Sequence, residues 1–199
     1  MANRPKGFGM TAELNRKKEA KFDPDLANDA FEWLRLVLID GGHDDMADVL
    51  KHVSSSGDVA PPLKNGKILC TVINCIKPGT VRKINDSKMA FKEMENISKF
   101  LTGCEELGCD KGDLFQTVDL YESQNPNQVI NGIVALGRKS QTIGYDGPCL
   151  GPQESTENKR EFSEEQLKAG KNVIGLQMGS NKGASQAGQN FGKTRAIID

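Results

Sequence analysis

Four stretches of this chain carry apolar residues at helical spacing, and no stretch carries the strict alternation of a half-buried strand. That pattern limits the fold to an all-α one. Asp23-Pro24 opens the first stretch with a side-chain cap and then a residue that has no backbone donor to leave unsatisfied, and Gly41-Gly42 closes it. Leu26, Ala27, Ala30, Phe31, Trp33, Leu34, Val37 and Leu38 give this helix a broad apolar face, with Trp33, the only tryptophan, as a core residue. A second helix is expected over Leu63–Ile76, where Leu63, Leu69, Val72, Ile73 and Ile76 share a stripe that stops at Pro78-Gly79. A third follows from Ser87 to Leu107, carried by Met89, Met94, Ile97, Phe100, Leu101, Cys104 and Leu107. Asn125-Pro126 repeats the cap-then-proline opening, and Val129, Ile130, Ile133, Val134 and Leu136 carry a fourth that frays near Gly137. The expected long helices are therefore 24–39, 63–77, 88–107 and 126–138. The Ser-, Gly- and acid-rich connection over 43–62 leaves room for one short helix around Met46–His52.

Beyond about Ser140 glycines and prolines punctuate a segment too poor in apolar residues to form a core. This tail divides by charge. Residues 146–165 hold six acids and two bases, whereas 168–198 hold Lys168, Lys171, Lys182, Lys193 and Arg195 with no acid. The whole chain is nearly neutral, 26 Lys plus Arg against 27 Asp plus Glu, so an electrostatic partner has to be found from local patches. Nothing points to nucleic acid, and no window is apolar for long enough to insert in a membrane. With no signal-peptide pattern at the N-terminus, a soluble cytoplasmic protein is expected. The five cysteines, Cys70, Cys75, Cys104, Cys109 and Cys149, then read as reduced thiols that pack as small hydrophobes.

Patterns that resemble catalytic or metal sites fail on their context. Gly188-x-x-x-Gly192-Lys193-Thr194 is one residue short of a phosphate-binding loop, and the five residues after the threonine cannot form the helix such a loop needs. Gly183-x-Ser185-x-Ala187 lacks the second glycine of a nucleophile elbow, and no histidine follows it. The Cys-x4-Cys spacing would put Cys70 and Cys75 on different faces of a helix, and His43 and His52 lie in a separate region, so no zinc set forms. Asp40–Asp48 lacks the residue order of a calcium loop. No catalytic residue, metal or cofactor is expected.

The helix order, Leu63-Lys-Asn-Gly-Lys-Ile-Leu-Cys70 and Lys83-Ile-Asn85 resemble a calponin-homology domain. Ala90-Phe-Lys-Glu-Met-Glu-Asn-Ile-Ser-Lys-Phe-Leu101, Asp113-Leu-Phe-Gln-Thr-Val-Asp-Leu120 and the N-terminal Met1-Ala-Asn3 with Gly9-Met10 narrow the resemblance to the transgelin and calponin family, its invertebrate muscle members included. Val173-Ile-Gly-Leu-Gln-Met-Gly-Ser-Asn-Lys-Gly-Ala-Ser-Gln-Ala-Gly188 and Phe191-Gly192-x-x-Arg195 are similar to a calponin-like repeat. The resemblance implies an N-terminal extension over 1–22, a calponin-homology domain over 23–140, an acidic linker over 141–169 and the repeat over 170–199.

What the resemblance further implies is a non-enzymatic cytoskeletal protein whose partner is filamentous actin. The alternative is a signalling adaptor whose helical domain docks a regulatory protein, with the tail as a phosphorylation-controlled latch; other cytoskeletal or signalling proteins are further candidate partners. One repeat, where calponins carry several, favours filament binding or cross-linking over control of myosin. A lone domain of this kind is not a dependable filament binder, so the contact is placed in the repeat: Lys171, Lys182, Lys193 and Arg195 as cations, and Ile174, Leu176, Met178 and Phe191 as apolar anchors. The glycines Gly170, Gly175, Gly179, Gly183, Gly188 and Gly192 are expected to forbid a stable helix there and to let backbone amides approach a partner closely. Ser180, set between Gly179 and Asn181-Lys182, is the candidate for regulatory phosphorylation.

Overall fold

The structure is a computed structural model that describes residues 9–155 and 158–171. It divides into two units, Met1–Ser155 and Thr156–Asp199. The first holds helices α1 (Met10–Ala20), α2 (Pro24–Asp40), α3 (Asp44–Ala47), α4 (Ala60–Leu63), α5 (Lys67–Ile76), α6 (Ala90–Glu106), α7 (Thr117–Tyr121) and α8 (Pro126–Thr142), with a 3-10 turn at Ser56–Asp58. No strand occurs among the described residues, in keeping with the all-α expectation.

Helix α2 starts where its sequence says: the Asp23 carboxylate accepts from the amides of Asp25 at 3.0 Å and Leu26 at 3.2 Å, and Pro24 takes the first turn. It stops at Gly41, with Gly42 in the left-handed region at φ 75°. Its buried face, which includes Trp33 at 2% exposure, packs on α5 and α8, and α5 packs on α6. Asn125 caps α8 as expected, accepting from the Gln128 amide at 3.4 Å.

Four local expectations need correction. The helix expected over Leu63–Ile76 is two: α4 ends at Leu63, the chain turns through Gly66 at φ 68°, and α5 begins at Lys67. A Cβ on Gly66 would stand 2.7 Å from the Asn96 Cβ and 2.9 Å from the Ile97 nitrogen, so the break is made by close approach of this turn to α6. Met89 is 66% exposed because it precedes α6, before the buried stripe begins. The short helix expected near Met46–His52 is α3, which starts at Asp44 and ends at Ala47. Helix α8 does not fray at Gly137 but runs to Thr142, and Leu150 fills the space where a Cβ of Gly137 would be, its own Cβ only 2.6 Å from that point.

Leu150 belongs to a segment that continues the domain's contacts past α8. Trp33 Nε1 donates to the Pro148 carbonyl at 2.8 Å, and Gln141 Nε2 donates to the carbonyls of Leu150 at 3.2 Å and Gly151 at 3.0 Å. Lys139 and Glu154 form an ion pair at 3.1 Å. A segment poor in apolar residues is thus fastened by its backbone carbonyls, and the ordered packing extends through Glu154. Helix α1 and the five-residue α7 also had no counterpart in the sequence reading. The Glu19 carboxylate, at the end of α1, accepts from the backbone amide of Ser56 at 3.2 Å and from its hydroxyl.

Candidate functional site

Of the predicted filament contacts, Lys171 lies among the described residues, whereas Ile174, Leu176, Met178, Lys182, Phe191, Lys193 and Arg195 lie outside them, as does Ser180. Lys171 is exposed at the last position of helix α9 (Glu164–Lys171) in the second unit. The glycine argument against helix therefore does not hold at Gly170, which α9 includes. The start of α9 explains why it forms. The Ser163 hydroxyl accepts from the Gln166 amide at 3.3 Å while the Gln166 side-chain oxygen accepts from the Ser163 amide at 3.0 Å, a reciprocal cap. Glu164 and Glu165 occupy the first turn, and Lys168 and Lys171 the last, the order that the helix dipole favours. Phe162 and Leu167 stand 58% and 53% exposed, large apolar side chains left to solvent just before the cationic stretch.

The domain's own cations present a different picture, because many are already matched by acids. Glu95 pairs with Lys92 at 2.8 Å and Lys99 at 2.7 Å, and these ammonium donors, with Asn85, hold its carboxyl down to about 2. Lys99 also donates to the Lys83 carbonyl at 3.1 Å. Lys67 pairs with Asp86, Lys111 with Glu105 at 3.2 Å, and Arg138 with Asp113 at 3.4 Å. Each such pair is worth little to stability at the surface, but each also cancels the charge that an acidic partner would feel. Lys168 pairs with Glu164 at 3.8 Å across α9, but the 168–198 stretch has no acid within its own sequence to neutralise the other cations.

Among the described residues no group of three or more His, Cys, Asp or Glu side chains could hold a metal ion. All five cysteines are free; Cys70, Cys104 and Cys109 are buried, Cys75 half-buried and Cys149 exposed. Cys70 Sγ donates to the Asn96 carbonyl at 3.2 Å, and burial pushes its thiol up to about 12. The sequence reading missed that Cys104 and Cys109 share one helix end, and the signal for it was Gly108 between them. No helix of the described residues is long and apolar enough to cross a membrane.

Comparison with known proteins agrees with this architecture. Residues 26–142 match the calponin homology (CH) domain, and residues 174–197 match the calponin family repeat. The chain is 46% identical to myophilin of Echinococcus granulosus over 201 aligned positions that span all of both proteins. Among solved structures, the calponin-homology domain of Rng2 from Schizosaccharomyces pombe is similar at a TM-score of 0.50 and 22% identity, covering 78% of this chain and 88% of that one. The calponin-homology domain of an IQGAP protein from the same organism follows at a TM-score of 0.48 and 21% identity over the same shares. The Rng2 likeness speaks to fold alone; the full-length identity and the paired domain and repeat carry the assignment. The chain belongs to the transgelin and calponin family of structural cytoskeletal proteins.

Proposed function

We propose that this protein binds actin filaments and cross-links or stabilises them, in the cytoplasm and in association with muscle, through a contact centred on Lys171, Ile174, Leu176, Met178, Lys182, Phe191, Lys193 and Arg195. The carrying observation is that the segment matching the calponin family repeat falls within the longest stretch of the chain that has cations and no acid. Filament surfaces are acidic, so such a stretch is attracted to them with a strength that falls as salt rises. Apolar anchors between the cations add contact area that salt does not weaken. The proposal divides the chain into an extension over 1–22, a domain over 23–140, an acidic linker over 141–169 whose first part, through Glu154, is fastened to that domain, and the binding repeat over 170–199. Catalysis has no part in it.

Co-sedimentation of the full chain and of a chain ending at Lys171, each with filamentous actin at low and high salt, tests this reading. The full chain is expected to pellet with filaments, more strongly at low salt, and the shortened chain to remain in solution. If the shortened chain pellets equally well, the tail-centred mechanism is wrong and the helical domain is the binder. Within the same proposal Ser180 is the control point. A phosphate there adds about 1.5 to 2 negative charges beside Lys182, enough to offset much of the local positive charge. Ser180→Asp is expected to release the protein from filaments and Ser180→Ala to leave it bound; equal pelleting of the two removes the switch.

A further inference from the structure

Helix α6 ends in a turn that brings two thiols together. Gly108 stands in the left-handed region at φ 89°, its amide donates to the Glu105 carbonyl at 2.9 Å, and the Cys109 amide donates to the Cys104 carbonyl at 3.0 Å. In this helix ending the residue after the left-handed glycine meets the residue five positions before it, commonly through an apolar contact. Here both positions are cysteines. The 3.0 Å bond between their main chains limits the two Cα atoms to a separation of no more than about 7 Å. A disulfide usually spans about 4.4–6.8 Å between Cα atoms, so the backbone already stands close to that geometry.

The two thiols differ in access and in charge. Cys104 is 0% exposed and Cys109 is 8% exposed. Lys139 reaches over the turn from α8, its Nζ 3.5 Å from where a Cβ on Gly108 would sit. The Cys104 thiol lowers the pKa of Cys109 by hydrogen bonding to it, and Lys139 lowers it further, against burial and the acids Glu154 and Asp113. Burial raises Cys104, and the neighbouring Cys109, Cys70 and Glu105 push the same way. The outer cysteine is therefore the better nucleophile and the inner one the partner waiting behind it.

We propose that Cys104 and Cys109 form a redox modification site that a hydroperoxide closes into an intramolecular disulfide. The Cys109 thiolate attacks one peroxide oxygen; the O–O bond breaks, a sulfenic acid forms, and the other oxygen leaves as hydroxide and takes up the proton that Cys109 released. The Cys104 sulfur then attacks the Cys109 sulfur; the S–S bond forms, the S–O bond breaks, and water departs with the Cys104 proton. The two thiols lose two electrons and the hydroperoxide gains them. A small-molecule thiol reverses the reaction by exchange.

Trypsin cleavage after Lys99 and Lys111 isolates both cysteines in one peptide, residues 100–111, with no other cysteine. The full-length reduced protein is treated with hydrogen peroxide, its remaining thiols are alkylated, and the digest is analysed by mass spectrometry. The expected result is a 100–111 peptide lighter by two hydrogen atoms and closed to alkylation until a thiol reductant is added, while Cys70 and Cys75 still alkylate. In Cys104→Ser the sulfenic acid is expected to persist on Cys109 and to be captured by dimedone; in Cys109→Ser oxidation at Cys104 is expected to slow at least about tenfold. Full alkylation of both cysteines in the wild-type peptide after exposed Cys149 has oxidised would overturn the proposal, as would a disulfide joining either of them to Cys149. The wild-type measurement decides the matter even if a serine variant folds poorly.

Discussion

Asn96→Leu is expected to lower the stability of the helical domain by about 3–5 kcal/mol, although leucine is a better helix former and the site lies in the core. Asn96 is 0% exposed and serves three backbone groups with one side chain. Its Oδ1 accepts from the Asn85 amide at 2.8 Å, and its Nδ2 donates to the carbonyls of Asn65 and Asn85, both at 3.0 Å. The amide thus joins α6 to the turn before α5 and to the extended segment before α6. Leucine would leave all three groups without a partner in a place closed to water, at about 1–3 kcal/mol each, and part of that loss is recovered when the loops relax toward solvent. For a domain of this size the thermal midpoint falls by about 10–20 °C. Asn96→Asp is expected to be no better, since it keeps the acceptor for Asn85 but turns an oxygen toward two carbonyl oxygens. A fall of less than about 1 kcal/mol in urea unfolding, at unchanged m, would show that water replaces this side chain cheaply.

The same cluster shows where sequence reading reached and where it stopped. The apolar stripes of α2, α6 and α8 were legible because burial on one face leaves a 3.6-residue period, and the caps at Asp23 and Asn125 were legible because they act on amides two or three residues away. The break at Gly66 was not: nothing local distinguishes Lys64-Asn-Gly66 from a helical stretch with one poor residue, and the turn is fixed by the approach of α6, some thirty positions on. Helix α7 is five residues long, too short for a period to register. Residues 145–154 look like a linker by composition, yet Trp33 binds the carbonyl of Pro148 and Leu150 fills the gap beside Gly137. Such contacts use a backbone group and an absent Cβ, neither of which a hydropathy pattern records. The repeat was legible by its motif and its charge, while α9 was hidden by Gly170, the residue that argued against helix and that the Ser163 cap and ordered charges overcame.

Replacing Lys171, Lys182, Lys193 and Arg195 together by alanine is expected to weaken filament binding about 10- to 100-fold at low salt, and to flatten what dependence on salt remains. The four are all but one of the charges between Lys168 and Ile198. Exposed charges facing an acidic surface contribute up to about 1 kcal/mol apiece, and about 1–3 kcal/mol in all corresponds to that loss of affinity. The flattening separates this role from that of the anchors. Changing Ile174, Leu176, Met178 and Phe191 to serine removes contact area but no charge, so affinity falls by a similar factor at every salt concentration and the slope stays. The domain's buried core, among the described residues, is built from positions 27–150, so the thermal midpoint of the domain is expected to hold in both variants. Binding that survives the four alanines with its salt slope intact would move the electrostatic contact onto the helical domain. There the acids already beside Lys67, Lys92, Lys99 and Arg138 would have to be displaced or tolerated by an acidic filament. Such a contact would be expected to respond to Glu95→Gln, which frees Lys92 and Lys99 of their shared partner, and the tail-centred contact would not.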